Sequence, residues 1–183
     1  MQVIAGALRG RKLKTPSGEK VRPTSGMVRG AMFNILGDRI HGARMLDLYS
    51  GTGAIAIEAL SRGAARAVLV EKSPDSQKLI LDNLRALGLS DRAQLIRGDV
   101  LAKLPTLEGS FEVVIADPPY RTVDWEALLQ GLQQPDLLSN HALIVFEHAK
   151  DEELPELLGN LRRDRLYQYG ETQLSLYSWT AAV

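Results

Sequence analysis

The stretch Asp47-Leu48-Tyr49-Ser50-Gly51-Thr52-Gly53 decides the fold. An apolar run over residues 44–49 leads into it and a helical pattern over 54–62 leads out, so it reads as a strand turning into a helix. Glycines permit a tight turn and let the backbone approach a ligand closely, and in open α/β sheets ligands bind beyond the carboxyl ends of the strands. The same alternation continues downstream. Strands are predicted over 66–71, 93–97, 111–117, 142–147, 166–169 and 173–179, with helices near 74–87, 125–133 and 152–161. This rhythm predicts an α/β fold, a mostly parallel sheet of six or seven strands with helices on both faces. The link Tyr169-Gly170-Glu171-Thr172 is too short for a crossover helix, so the last two strands should form an antiparallel edge hairpin. Upstream, segments 2–5 and 11–14 flank Gly6 and Gly10 and predict a small β-hairpin, and residues 24–36 read as a helix.

A chain of 183 residues suits one compact domain. No apolar run approaches the roughly 18 residues that a membrane span needs, and the first residues lack the apolar core of a signal peptide. A cytoplasmic protein is therefore expected. Cysteine is absent, which excludes disulfides, thiolate metal sites and cysteine nucleophiles. The net charge is zero but unevenly placed: residues 1–44 hold nine Lys/Arg against two Asp/Glu, and the remainder thirteen against twenty. A basic leading segment on an acidic body points to a polyanion-binding face.

Two cofactor readings of the glycine turn compete. Gly51-x-Gly53-x-x-Ala56, with Glu71 twenty residues after Gly51, also satisfies the dinucleotide fingerprint of an NAD-dependent oxidoreductase. Asp47 separates them, because a carboxylate at that strand end would repel a pyrophosphate and favour the cationic tail and sulfonium of S-adenosylmethionine. Further acids fall at the ends of successive predicted strands: Glu71, Asp99 after Gly98, and Asp117. Glu71 is suited to the ribose hydroxyls and Asp99 to an adenine amino group, since carboxylates are acceptors; Asp99 is also placed to cap a helix before Val100. The expected cofactor contacts are Asp47, Tyr49, Gly51, Gly53, Glu71, Lys72, Gly98 and Asp99.

The predicted strand 111–117 runs into Asp117-Pro118-Pro119-Tyr120. Prolines donate no backbone hydrogen bond and have a fixed φ, so the loop presents carbonyl oxygens and a carboxylate in a rigid frame. An exocyclic amine on a nucleobase is a poor nucleophile because its lone pair is delocalised into the ring. If Asp117 and the Pro118 carbonyl each accept one N–H, the nitrogen is drawn toward tetrahedral geometry, and Tyr120 can stack on the base. Asp117, Pro118 and Tyr120 are the expected catalytic residues, and no metal is required. The competing structural reading is a rigid turn after a strand. His41, His141 and His148 are scattered without a metal-site pattern, there is no phosphate-binding P-loop, and Ser50 and Ser61 lack the nucleophile-elbow context.

Along nearly all its length the chain resembles the RsmD-type enzymes that methylate guanine N2 in 16S ribosomal RNA. The resemblance is carried by Gly6-Ala7-Leu8-Arg9-Gly10-Arg11-Lys12-Leu13, Arg22-Pro23-Thr24, Val28-Arg29, Phe33-Asn34-Ile35-Leu36, the glycine turn with Glu58-Ala59-Leu60-Ser61-Arg62-Gly63, and Asp117-Pro118-Pro119-Tyr120. It implies a seven-stranded Rossmann-like methyltransferase fold, a flipped-out guanine, and action on ribosomal RNA within the assembled or assembling small subunit. Gly26 and Gly30 depart from it, standing where relatives commonly carry acidic residues; glycine costs a helix about 0.5–1 kcal/mol against alanine. The expected division is a basic RNA-contacting extension over 1–40 and a methyltransferase domain over 41–183, in a monomer. Arg9, Arg11, Lys12 and Lys14 lie close together among glycines as candidate phosphate contacts, and Arg22 and Arg29 are further candidates that could instead pair with acids. The alternatives are a DNA adenine-N6 or cytosine-N4 methyltransferase, the NAD-dependent oxidoreductase, and a non-catalytic RNA-binding assembly factor.

Overall fold

The structure, a computed structural model, describes residues 1–16 and 26–180. Its central sheet holds β1 (Arg44–Leu48), β2 (Arg66–Glu71), β3 (Ala93–Arg97), β4 (Phe111–Ala116), β5 (Leu138–Ala149), β6 (Leu157–Leu158), β7 (Leu161–Tyr169) and β8 (Thr172–Trp179). The strand order is β3-β2-β1-β4-β5-β8-β7-β6. β1 to β5 are parallel and joined by α2 (Ala54–Ser61), α3 (Pro74–Ala86), α4 (Val100–Lys103) and α5 (Trp125–Leu132), while β8 enters antiparallel to β5 and pairs with β7 as the predicted hairpin. The order reverses between β1 and β4, leaving a crevice beyond their carboxyl ends.

Side-chain parity places the chemistry. Along β1, Met45 enters the apolar cluster on one face, and Leu46 and Leu48 enter the cluster on the other. β4 repeats this, Val113 and Ile115 joining the first cluster, Val114 and Ala116 the second. Asp47 therefore shares the side of Met45, facing α2. All eight residues of α2 are buried, because the sheet packs on one side and the N-terminal arm with α1 (Gly26–Leu36) covers the other.

The arm is held by buried polar side chains. Glu58 of α2 is 0% exposed; its Oε2 accepts from Ile4 N–H at 2.8 Å and its Oε1 from Ala5 N–H at 2.9 Å and Arg62 Nε at 2.8 Å. Ser61 donates its hydroxyl to the Ala5 carbonyl at 2.6 Å and accepts from Leu8 N–H at 2.9 Å. Asn83 of α3 accepts from Lys14 N–H at 2.8 Å and donates back to the Lys14 carbonyl at 3.1 Å. Val3 and Leu13 join the same apolar cluster as α1 and α2, so the arm shares the body's core.

Four sequence expectations change. The sheet has eight strands where seven were expected, the additional one being the two-residue β6. The helix predicted over 152–161 does not form: Pro155 lacks the N–H a helix interior needs, Gly159 sits at φ +58°, and Glu152 is turned back to accept from Trp125 Nε1 and Ala149 N–H. β7 starts at Leu161, five residues before the predicted start, and β5 starts at Leu138. The N-terminal hairpin is shorter than predicted, one bridge pairing Gln2 with Lys12, although Val3 exchanges backbone hydrogen bonds with Gly10 and Arg11. The predicted helix 24–36 is described from Gly26, and despite Gly26 and Gly30 it is helical to Leu36; the residues before it lie outside the described set.

The arm's glycines make separable demands. Gly6 and Gly10 both sit at φ +81°, but a Cβ at Gly6 would overlap the Ser61 carbonyl, whereas a Cβ at Gly10 meets nothing within 4 Å. Gly10→Ala should cost about 1–2 kcal/mol of backbone strain. Gly6→Ala should cost more, because the arm must also leave α2. Denaturant unfolding of both variants checks the order, and equal losses would contradict this docking.

Candidate active site

One cavity of about 1100 Å³ opens over the carboxyl ends of β1, β2 and β4. Its walls include Tyr49, Gly51, Thr52, Glu71, Lys72 and Asp99 on one side, and Asp117, Pro118, Pro119, Tyr120 and Glu147 on the other. Met1, Pro16 and Arg29 complete it from the arm and α1. The two sequence motifs meet at the sheet: Asp117 N–H donates to the Leu48 carbonyl at 3.4 Å, bringing the end of β4 beside the start of the glycine turn.

The turn is organised by acids. Glu71 Oε2 accepts from Gly51 N–H at 2.8 Å and Oε1 from Ser73 N–H at 2.7 Å. Gly53 donates to the Ser50 carbonyl at 2.8 Å and caps α2 at φ +77°, a conformation glycine adopts without a Cβ penalty. The Gly51 and Gly53 N–H groups are thus already occupied, and Glu71 stands against the turn as a carboxylate that would repel a pyrophosphate.

Asp47 is a correction to the expected contacts. It is 0% exposed and stands beneath the turn rather than on the cavity wall, with Oδ2 accepting from Ala56 N–H at 3.2 Å and Oδ1 lacking a hydrogen-bond partner among the described residues. Burial pushes its carboxyl well above the ordinary 3.8; the Ala56 N–H partly offsets this, and Asp117 and Glu71 add repulsion. Gly53 and Gly98 likewise shape the backbone without lining the cavity. Tyr49 does line it, at φ +61°, and burial followed by repulsion from Asp99 pushes its phenol up to about 12.

Asp99 caps α4, as its structural reading predicts, and also lines the cavity. Its Oδ1 caps α4, accepting from Leu101 and Ala102 N–H at 3.1 and 3.4 Å, while Oδ2 faces Lys72 Nζ at 3.4 Å on the cavity rim. Across the cavity, the Tyr120 hydroxyl meets Thr172 Oγ1 at 2.5 Å and donates to Glu147 Oε1 at 3.3 Å. Glu147 and Thr172 are 4% and 2% exposed, so the phenol end of Tyr120 is anchored in the sheet while its ring borders the cavity.

The basic residues divide. Arg9, Arg11, Lys12 and Lys14 are exposed on the arm, Lys14 pairing with Asp82 at 3.0 Å. Arg29 is 2% exposed, donating Nη2 to the Gln2 carbonyl at 2.6 Å with Nε 3.7 Å from Glu58, so the structure turns it away from a surface phosphate contact. Arg22 lies outside the described residues.

The family described as "Conserved hypothetical protein 95" matches residues 1–178. The chain is 36% identical over 180 residues to the putative rRNA methyltransferase YlbH of Bacillus subtilis, covering 97% of this chain and 98% of the relative. It is 32% identical over 177 residues to ribosomal RNA small subunit methyltransferase D of Escherichia coli, covering 97% and 89%. The chain belongs to the RsmD-type methyltransferase family. A solved structure described as a putative methyltransferase, yhhF, from Escherichia coli superposes with a TM-score of 0.89 at 32% identity, over 100% of this chain and 99% of that one.

Within this RsmD-type site, sequence reasoning missed Glu147 and Thr172. Glu147 follows the signal that found the other acids, a carboxylate closing an apolar strand on the face shared by Asp47, Glu71 and Asp117. Thr172 had no such signal, because only the antiparallel insertion of β8 brings it to β5.

The raised Asp47 carboxyl has a defined sign. The folded protein holds a proton that the unfolded chain releases, so stability falls as pH rises from about the ordinary carboxyl range toward the raised folded value. Asp47→Asn keeps an oxygen for Ala56 N–H and removes the charge. Its melting temperature should exceed the parent's by more near about pH 7 than near about pH 4. A gap that shrinks with rising pH in thermal melts would contradict a buried, strained carboxylate.

Proposed function

We propose that the protein transfers a methyl group from S-adenosylmethionine to the exocyclic N2 amine of a guanine in 16S ribosomal RNA. The observation that carries this is the meeting of the glycine turn and Asp117-Pro118-Pro119-Tyr120 on one cavity. At about 1100 Å³ it exceeds the roughly 300–1,000 Å³ typical of a single small-ligand pocket, leaving room for a cofactor and a base together. Glu71 and Asp99 have the acceptor chemistry for ribose hydroxyls and an adenine amine, while Tyr49 and Gly51 wall the same end. Bound there, S-adenosylmethionine supplies an electrophilic methyl group on a sulfonium.

The chain's own residues prepare the amine. Asp117 and the Pro118 carbonyl each accept one N–H, which localises the nitrogen lone pair, and Tyr120 holds the base plane from its anchor on Glu147 and Thr172. With its lone pair held toward the cofactor's methyl group, the amine would take that methyl in exchange for its surplus N–H proton, which would pass to Asp117 or water. The printed names of the relatives, ribosomal RNA small subunit methyltransferase D among them, support ribosomal RNA as the substrate class. Exposed Arg9, Arg11, Lys12 and Lys14 on the docked arm supply phosphate contacts, making residues 1–40 the RNA-contacting extension of a monomeric cytoplasmic enzyme that acts on the small subunit.

Asp117→Ala should keep S-adenosylhomocysteine affinity within a few-fold while lowering methyl transfer by at least about 10²-fold. Calorimetry together with transfer of labelled methyl to small subunits lacking the mark checks this. Retained transfer would remove Asp117 from its role, and transfer to DNA but not RNA would favour the DNA alternative.

A further inference from the structure

We infer that Arg29 seats the carboxylate of the cofactor's amino-acid tail; this rests on the S-adenosylmethionine reading and adds to it. Arg29 lies on α1, is 2% exposed, and still forms part of the cavity wall. Its donors are only partly used. Nη2 donates to Gln2, the 3.7 Å from Nε to Glu58 is too long for a hydrogen bond, and Nη1 has no acceptor among the described residues. A buried guanidinium with an idle donor beside a cavity is matched to an anion that arrives from the cavity.

The local charge points the same way. Glu58 is the sole carboxylate with which Arg29 and Arg62 form ion pairs among the described residues, and its oxygens are already taken by Ile4 N–H, Ala5 N–H and Arg62 Nε. Two guanidiniums thus share one buried carboxylate. Burial, with repulsion from Arg62 behind it, lowers the Arg29 pKa although Glu58 opposes this. Ala54 and Ile55, in the first turn of α2, line the same cavity, and helix geometry gives first-turn N–H groups no intrahelical acceptor.

Elsewhere the described cavity wall is acidic: Glu71, Asp99, Asp117 and Glu147 line it, and the other lining side-chain cation, Lys72, is paired with Asp99. Among the described lining side chains, Arg29 is thus the cation left for a small anion entering this cavity. The depth of Arg29 favours a slender carboxylate over the phosphodiester backbone of an RNA, which stays at the protein surface.

The test uses two ligands that share the nucleoside and the amine but differ in the carboxylate: S-adenosylhomocysteine and decarboxylated S-adenosylhomocysteine. Calorimetry on the unaltered protein should show the first binding about tenfold or more tightly, the value of a charge-assisted pair. Arg29→Gln should lose that factor for S-adenosylhomocysteine and stay within about twofold for the decarboxylated ligand, and Arg29→Lys should recover part of the difference. Equal losses for both ligands would mean that Arg29 only holds the arm, and overturn the inference. So would unchanged cofactor affinity with weakened binding to small-subunit RNA. If the unaltered protein binds neither ligand, the cofactor reading itself fails, and this inference with it.

Discussion

Glu58 has no route to water, and its satisfaction organises the molecule. A buried carboxylate is costly unless hydrogen bonds and opposite charge surround it, and here two backbone N–H groups of the arm and Arg62 supply them. Because those N–H groups belong to Ile4 and Ala5, satisfying Glu58 fixes the N-terminal arm across α2. Ser61, one turn later on the same helix, takes Ala5 and Leu8 and fixes the arm's direction. Both anchors sit on the helix that begins at the glycine turn, so the arm is registered against the cavity. The basic surface of Arg9, Arg11 and Lys12 is thereby carried on a rigid platform instead of a free tail.

The second organising feature is the parity of the parallel strands. Asp47, Glu71, Asp117 and Glu147 lie at or near the carboxyl ends of their strands on the same side of the sheet, so four carboxylates converge at one edge. Hydrogen bonds to Glu71, Glu147 and Asp47 offset part of their mutual repulsion. Glu71 holds the turn, Glu147 accepts from Tyr120, and Asp47 supports α2 from below at the expense of a raised carboxyl pKa. An edge this acidic accepts a ligand with cationic and hydrogen-bond-donating groups far more readily than one with phosphates.

Much of this was legible in the chain. The parallel strands and their crossovers followed from apolar runs bounded by helical patterns, and the packed core leaves those runs little choice of place. The failures have local causes. β7 reads Leu-Arg-Arg-Asp-Arg at its start and buries Leu161 alone among these five residues, so no alternation of apolar and polar residues announced it. The stretch after β5 carried helix-forming residues, but Pro155 and the pull of Trp125 and Ala149 on Glu152 turned it into a connection. Arg29 stayed open between phosphate and acid for another reason: only packing shows that Met32, Phe33 and Leu36 carry its helix into the core, where it lies beside Glu58.

The sequence by itself determined the glycine turn, the strand-end acids, the Asp117-Pro118-Pro119-Tyr120 loop and their order, since backbone freedom and hydrogen-bond chemistry are local properties of those residues. Tertiary structure alone decided which acids face the cavity and which stand behind it. It placed Asp47 under the turn, brought Glu147 and Thr172 behind Tyr120, and buried Arg29 in the cavity wall. Those outcomes depend on which side of a strand meets which helix and on how the arm closes over α2, and no stretch of sequence encodes burial until its neighbours arrive.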